Sequence, residues 1–465
     1  MTSFPDRGMF DLAVIGAGVV GCAVARRFAL TGARVLVLEK GADILSGASK
    51  ANSAILHTGF DAPPGSLELE CIRRGHAEYL ALREGMNLPL LETGAIVVAW
   101  TEEEEARLGE LERQAHLNQV GDARILSAQE IRRLEPHLSE RARAGLHVPR
   151  EHVIDPWSPF LGYATQVRAQ GGEIVFDAEV LGGAFDGEAW TLETPPGRFR
   201  ARSVVNCAGL FGDRVDETLL GTSSFEIRPR KGQFAVFDKA AAQLLTSIIL
   251  PVPAERTKGV VLCRTIFGNV LVGPTAEEQA DRTRATVTEP ELRALVARAG
   301  EILPALRDMP VTATYAGLRP ATEKKEYRIH QDPARRWVTV GGIRSTGMTA
   351  ALGIAQHVEA LGIVGQASGL GHAPPPAPHM PNLAEHRPRD WQKAGYEEIV
   401  CHCEMVTKRE IEAALAGPLP PGDFGGLKRR TRCGMGRCQG FNCLGRLAEL
   451  TAGRLPHPLP ALGLS

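Results

Sequence analysis

The run DLAVIGAGVVGCAVARRFALTGARVLVLEK, residues 11–40, restricts most strongly what this chain can become. Its first five residues read as a buried parallel strand, after which Gly16, Gly18 and Gly21 fall at G-x-G-x-x-G spacing at the mouth of an apolar helix. Gly16 permits a tight turn, Gly18 lets a pyrophosphate approach the backbone, and Gly21 lets the helix pack close to the strand. Phosphates then meet the unpaired N–H groups at the helix N-terminus. A second strand over residues 33–38 delivers Glu39, with Lys40 beside it, to a ribose. Three glycines alone are a weak signal; strand, glycines, helix, strand and acid in this order predict a dinucleotide site in an α/β fold.

At 465 residues the chain is long enough for two or three domains. Its 53 basic against 54 acidic residues create no field for nucleic acid or an anionic membrane, so small ligands are the expected partners. The first ten residues lack an apolar leader core, and the longest uncharged run, residues 12–25, is too short and glycine-rich to span a bilayer. A cytoplasmic protein is expected. Of nine cysteines, Cys22, Cys71, Cys207 and Cys263 are scattered while five crowd between Cys401 and Cys443, unlike a secreted disulfide framework.

After Glu39, residues 46–57 are rich in small and hydroxyl side chains, and Ser49, Lys50, Asn52, Ser53 and His57 suit a segment lying against a planar ligand. Taken alone, His57 between Leu56 and Thr58 reads more readily as a hydrogen-bonded core residue than as a reactive one. Residues 66–84 and 102–117 have helical periodicity, Ser127 with Glu130 forms a capping box for a short helix that Pro136 ends, and residues 91–100 read as one strand of a second sheet. From Asp155 a helix returns to the first sheet, followed by a strand with Val180 near its end. A buried strand at residues 203–206 then leads to Cys207, Ala208 and Gly209, small enough for close approach to a nucleotide.

Residues 227–274 read as an inserted antiparallel sheet, and Thr288 with Glu291 caps a helix running to Leu303. Lys324 and Lys325 look like a solvated charge run, whereas Arg319, between Leu318 and Pro320, is suited to a bound anion. The segment WVTVGGIRSTGMTAALGIAQHV repeats the strand–glycine–helix design, with Arg344, Ser345, Thr346 and Gly347 at the turn and Met348 and Thr349 opening the helix. Proline crowds residues 369–389, predicting an extended spacer and a domain boundary. Beyond it Cys401, Cys403, Cys433 and Cys438 follow C-x-C-x29-C-x4-C spacing. Four thiolates hold zinc or a [2Fe–2S] cluster; the absence of paired C-x2-C knuckles favours the cluster, with zinc and inert cysteines as alternatives. Cys443 reads as a spare buried thiol.

GAGVVGCAVARRFA, SKANSAILHTGF, PRKGQF, VVNCAGL, YAGLRP and GGIRSTGMTAALGIA together resemble the flavoprotein family of glycerol-3-phosphate dehydrogenase, L-2-hydroxyglutarate oxidase and D-amino-acid-oxidase-like enzymes. CHCEMVTKREIEAAL and TRCGMGRCQGFNC resemble the bacterioferritin-associated-ferredoxin-like [2Fe–2S] domain. The resemblance implies FAD as cofactor. It implies a Rossmann-like FAD-binding domain (about 1–85, 150–220 and 335–370), an inserted mixed or antiparallel-sheet substrate domain (about 86–149 and 221–334), a linker at 371–395 and a small, mainly helical cluster domain at 396–465.

Carried over residue by residue, the resemblance puts His57 near the reacting carbon as catalytic base and Arg319 on the substrate anion. Lys50, Arg344 and Thr346 join the same pocket. Gly16, Gly18, Gly21, Glu39, Lys40, Ser49, Asn52, Ser53, Val180, Ala208, Gly209, Gly347, Met348 and Thr349 fall to FAD. One departure is that the related respiratory enzymes have Gly-Gly-Lys where this chain has Gly341, Gly342, Ile343 and Arg344.

The expected reaction is hydride removal from a small anionic hydroxy compound, foremost sn-glycerol 3-phosphate, with electrons leaving singly through the cluster to an acceptor protein or a further redox subunit, quinone being one destination. A 2-hydroxy acid such as 2-hydroxyglutarate, an amine or opine-type substrate, and a non-catalytic electron-transfer role stand as alternatives. Membrane association, where it occurs, is expected through a partner.

Overall fold

The computed structural model describes residues 8–253, 259–365 and 376–459. Residues 1–7, part of the leader reading, and residues 366–375, which hold the start of the expected linker, lie outside the described residues.

The opening unit folds as its pattern dictates. Strand Met9–Ile15 pairs in parallel with Val35–Leu38, which pairs in parallel with Glu173–Val175. On its other side lies Gly197–Asn206, whose last residues pair in parallel with Trp337–Gly341 while its first pair antiparallel with Trp190–Thr194. Two further strands, Gly182–Phe185 and Arg328–Asp332, complete an eight-stranded sheet. Side chains alternate across it: Leu12, Val14, Val35 and Val37 pack with helices Val19–Leu30, Ser158–Ala169 and Gly347–Ala360, while Ala13, Ile15, Leu36 and Leu38 join Trp190, Phe199 and Trp337 on the opposite face. Each fully buried Val or Leu contributes about 1.5–3 kcal/mol.

Helix Leu67–Leu82 crosses Gly347–Ala360 at glycines, because a Cβ on Gly75 would stand 2.0 Å from the Thr349 carbonyl oxygen and one on Gly353 would stand 2.1 Å from that of Cys71. This crossing fixes Thr349, and with it the loop described below.

Among the described residues the second sheet has nine strands, with Arg230–Phe237 flanked by Val311–Arg319 and Val270–Gly273. It is mixed rather than purely antiparallel, since Ile248–Pro251 runs parallel to Ala95–Ala99. The single strand expected over residues 91–100 is two: Leu90–Leu91 pairs with His152–Ile154, and Ala95–Ala99 joins the large sheet after Gly94 turns the chain at φ 61°. Val180 lies beyond the end of Glu173–Val175 instead of on the strand. Thr288 occupies the N-cap of Glu289–Ile302, but its hydroxyl bonds to the Glu291 carboxylate and to Gln233 instead of capping the helix backbone.

From residue 376 on, the described part of the proline-rich stretch is not a free spacer. Met380, Leu383 and Ala384 are buried in the main core, the Met380 N–H donates to Met86 O at 3.0 Å, and the Glu385 N–H donates to Ile266 O at 3.0 Å. Apolar side chains at these positions convert it into a strap. It leads to a short hairpin, Ile399–Cys401 with Val406–Thr407, and helices Lys408–Ala416, Phe424–Thr431 and Leu444–Thr451. This cysteine-rich unit docks through a buried pair, Arg430 donating to both oxygens of Asp43 at 2.6 and 3.0 Å, and through Arg432, whose guanidinium lies 3.8 Å from the Phe267 ring centroid. Among the described residues no helix is long and apolar enough to cross a membrane.

Candidate active site and thiol cluster

At the turn between the first strand and helix, Gly16 has φ 100°, and a Cβ on Gly21 would lie 1.9 Å from the Gly16 carbonyl oxygen, so neither position accepts another side chain. Gly18 caps the helix with no side-chain acceptor, and no acidic residue stands in the first turn, which leaves a cradle for an anion. Ser49 reaches over this turn, its Oγ accepting from Val19 N–H at 3.1 Å. Glu39 stands at the end of Val35–Leu38, its carboxylate accepting from Ala17 N–H at 2.7 Å and Gly41 N–H at 2.8 Å; burial pushes its pKa up against these donors. Ala208 lies behind Gly16, whose added Cβ would approach Ala208 Cα to 3.2 Å. Lys40 is turned aside on to the Phe211 ring, 3.1 Å from its centroid.

A cavity of about 440 Å³ opens beside this turn, lined by Val19, Ser49, Asn52, Ser53, Gly347 and Met348 on one wall and by the second sheet on the other. His57 and three guanidiniums, Arg230, Arg319 and Arg344, all line it. The His57 ring is held from behind: Nδ1 lies 2.9 Å from Oε2 of Glu151, whose side chain has no exposure, and Oε1 of Glu151 accepts from the Thr58 N–H and from the Thr58 hydroxyl at 2.8 Å. The His57 N–H donates to Thr349 Oγ1 at 3.0 Å. A carboxylate on Nδ1 sets that nitrogen as donor and leaves Nε2 with its lone pair. Burial, then the nearby Arg230 and Arg344, lowers the Arg319 guanidinium to about 10, still cationic at neutral pH. Arg230 is already paired with Glu278 at 2.9 Å and Glu68 also lines the cavity, so Arg319 and Arg344 are the cations best placed to receive an anion.

Glu151 and Arg230 escaped the reading of the sequence. Glu151 stands 94 residues from its partner in a short polar turn, and Arg230 lies within PRKGQF, a motif noticed only as a block. Other expected residues are placed differently. Lys50 is exposed and lines a separate cavity, away from Arg319 and Arg344, because the short helix Ala48–Lys50 turns it outward. Thr346 lines the pocket, but its hydroxyl is already shared with Tyr327 and Glu68 at 2.7 Å each. Thr349 is spent on His57 and on the Ile55 carbonyl. Asn52 holds its own loop, bonding Ser49 O and Ala54 N–H. Val180, like Ala208, packs against the core of the first sheet.

In the cysteine-rich unit all five thiols gather. Cys403 hydrogen-bonds the Cys438 thiol and receives the Cys438 N–H. Cys443 hydrogen-bonds the Cys401 thiol and lies near Cys433 and Cys438, while Cys433 bonds to Thr431. Backbone N–H groups of Asn442, Gly440 and Phe441 point at the Cys438 sulfur and hold its pKa down, the nest a thiolate or cluster sulfur requires. Four of the five meet two by two, Cys403 with Cys438 and Cys443 with Cys401; among the described residues no three His, Cys, Asp or Glu side chains converge on one ion-sized point. Pairs suit a binuclear centre, which takes two thiolates per iron.

The family described as FAD dependent oxidoreductase matches residues 11–361, and that described as BFD-like [2Fe-2S] binding domain matches residues 399–452. A glycerol 3-phosphate dehydrogenase of Caloramator mitchellensis is 31% identical over 455 residues, 96% of this chain and 95% of that protein. An L-2-hydroxyglutarate dehydrogenase of Indibacter alkaliphilus is 28% identical over 272 residues, 57% of this chain and 68% of that one. Among solved structures, dithionite-reduced L-alpha-glycerophosphate oxidase of Mycoplasma pneumoniae with FAD bound is similar with a TM-score of 0.70 at 26% identity, over 77% of this chain and 95% of that chain.

Proposed function

From the premise that this chain belongs to the FAD dependent oxidoreductase family and carries a BFD-like [2Fe–2S] binding domain, we propose that it dehydrogenates sn-glycerol 3-phosphate to dihydroxyacetone phosphate. The observation that carries this reading is the sharing of one cavity by His57 and the guanidiniums of Arg230, Arg319 and Arg344. Arg319 and Arg344, with Arg230 beside them, match a dianion rather than a monocarboxylate, and between the two dianions, a phosphate and the dicarboxylate 2-hydroxyglutarate, the relative that aligns over 96% of this chain favours the phosphate.

The glycine turn and residues 46–57 would hold FAD, which would supply the hydride acceptor, and the C-terminal cysteines would hold a [2Fe–2S] cluster, which would supply one-electron transfer. The arginines hold the phosphate and so fix the carbinol carbon. His57 Nε2 takes the hydroxyl proton, with Glu151 holding the ring and stabilising the imidazolium that forms, the division of labour seen wherever a buried carboxylate backs a catalytic histidine. For the cluster we assign Cys401, Cys403 and Cys438, with Cys443 a better fourth ligand than Cys433 because it meets Cys401 directly. The electron acceptor is a protein or further redox subunit, and contact with a membrane would run through that partner.

Anaerobic mixing with candidate substrates tests the reading. Flavin absorbance bleaches with sn-glycerol 3-phosphate and not with L-2-hydroxyglutarate or amino acids; bleaching by none of them would leave an electron-carrier role. Arg319→Ala raises the substrate concentration for half-maximal reduction about 10- to 100-fold, the loss of a charge-assisted contact of roughly 1.5–3 kcal/mol, while the limiting rate falls less. Glu151→Gln frees the ring to turn and lowers the limiting rate about 10²-fold, the scale of a misplaced catalytic group. An unchanged rate in that variant would make Glu151 a packing residue only.

A further inference from the structure

A second cavity, of about 530 Å³, lies between the second sheet and the cysteine-rich unit, on the far side of residues 50–54 from the substrate cavity. Its sheet-side wall mixes Ile266, Phe267 and Leu271 with Asp238, Thr312 and Thr314, and Cys403 also lines it.

Its basic groups are unequally satisfied. Arg432 is paired with Glu404 at 2.8 Å and Arg437 with Asp238 at 2.7 Å. Arg429 is not. It is 7% exposed, and among the described residues its Nε and Nη2 have no hydrogen-bond partner. The carboxylates nearest to it are engaged elsewhere, Asp43 by Arg430 and Asp423 by the Gly426 N–H that opens the helix. Lys428, one residue earlier, and Lys50, across the cavity on the flavin side, line the same space. A buried guanidinium without a partner is unfavourable, and an arriving anion removes that cost.

We propose that this interdomain cavity binds a phosphate group, free or carried on a small organic body, through Arg429, Lys428 and Lys50. Three cations ask for a dianion, which a phosphoryl group supplies and a carboxylate does not. Because Lys50 belongs to the flavin-side loop and Arg429 to the cysteine-rich unit, the occupant ties the two together beside Cys403. The site is separate from the Arg230, Arg319 and Arg344 cluster, and the inference does not depend on the substrate assigned there.

The test is equilibrium dialysis of the FAD- and cluster-loaded protein against radiolabelled inorganic phosphate. Wild type binds phosphate at two sites. Arg319→Met removes the substrate-cavity site, and Arg429→Met weakens the other at least about tenfold, as expected for losing one charge-assisted contact. Lys50→Ala, at an exposed position that folding does not need, weakens the same site if Arg429→Met fails to load cofactors. Competition by AMP and by sn-glycerol 3-phosphate tells whether the phosphate comes free or on an organic body. Phosphate bound at a single site, lost in Arg319→Met and intact in Arg429→Met and Lys50→Ala, overturns the proposal.

Discussion

Replacing His57 with alanine will leave FAD bound and slow anaerobic flavin reduction about 10²- to 10⁴-fold, the range that a positioned acid–base group supplies. Cofactor binding survives because what the loop needs from this residue is its backbone. The N–H donates to Thr349, whose own place is set by the glycine crossing of two helices, and the imidazole takes no part in that bond. Glu151 also remains anchored through Thr58, so the variant loses the base without losing the wall behind it. Stopped-flow reduction under argon checks the rate, and the visible spectrum checks the cofactor. A rate within threefold of wild type, with FAD retained, would remove His57 from the chemistry.

What could be read from the sequence was what the chain encodes within one or two elements. Gly16, Gly18, Gly21 and Glu39 sit inside a single strand–helix–strand unit, so their spacing carries their geometry; the capping box of Ser127 and Glu130 is equally local and is present, with both of its hydrogen bonds. Contacts between distant segments were not legible. Glu151 meets His57 only because the short strands Ile55–Leu56 and His152–Ile154 pair, and Arg230 meets Arg319 only because the two strands that end there run antiparallel. Neighbourhood in sequence misled in the opposite sense at Lys50, seven residues from His57 yet on the other wall of its loop. Thr346 and Thr349 were assigned to the pocket and to FAD by resemblance; their hydroxyls also bond within the protein, to Glu68 and to the Ile55 carbonyl. Proline density suggested a spacer over a stretch whose Met380 and Leu383 are core residues.

The cysteines show the same limit most sharply, and here the structure makes the stronger prediction. Cys433 to Cys438 and Cys438 to Cys443 have identical four-residue gaps, so spacing alone cannot decide which outer cysteine is a ligand. Geometry separates them. The loop from Cys438 to Cys443 wraps its N–H groups of Gly440, Phe441 and Asn442 around the Cys438 sulfur and ends with Cys443 against Cys401, completing two facing pairs. Cys433 instead follows the end of helix Phe424–Thr431, fully buried, with its N–H and thiol both engaged by Thr431. Serine at Cys443, like serine at Cys401, Cys403 or Cys438, is therefore expected to strip the cluster, seen as loss of iron, of acid-labile sulfide and of the low-temperature electron paramagnetic resonance signal of dithionite-reduced protein. Serine at Cys433 is expected to keep all three. FAD content stays level across the series, because the dinucleotide cradle is built from residues 16–49 and takes nothing from this unit's thiols. The opposite pattern, with the cluster lost in Cys433→Ser and kept in Cys443→Ser, would return the fourth position to Cys433 and make the facing of Cys443 on Cys401 a packing contact.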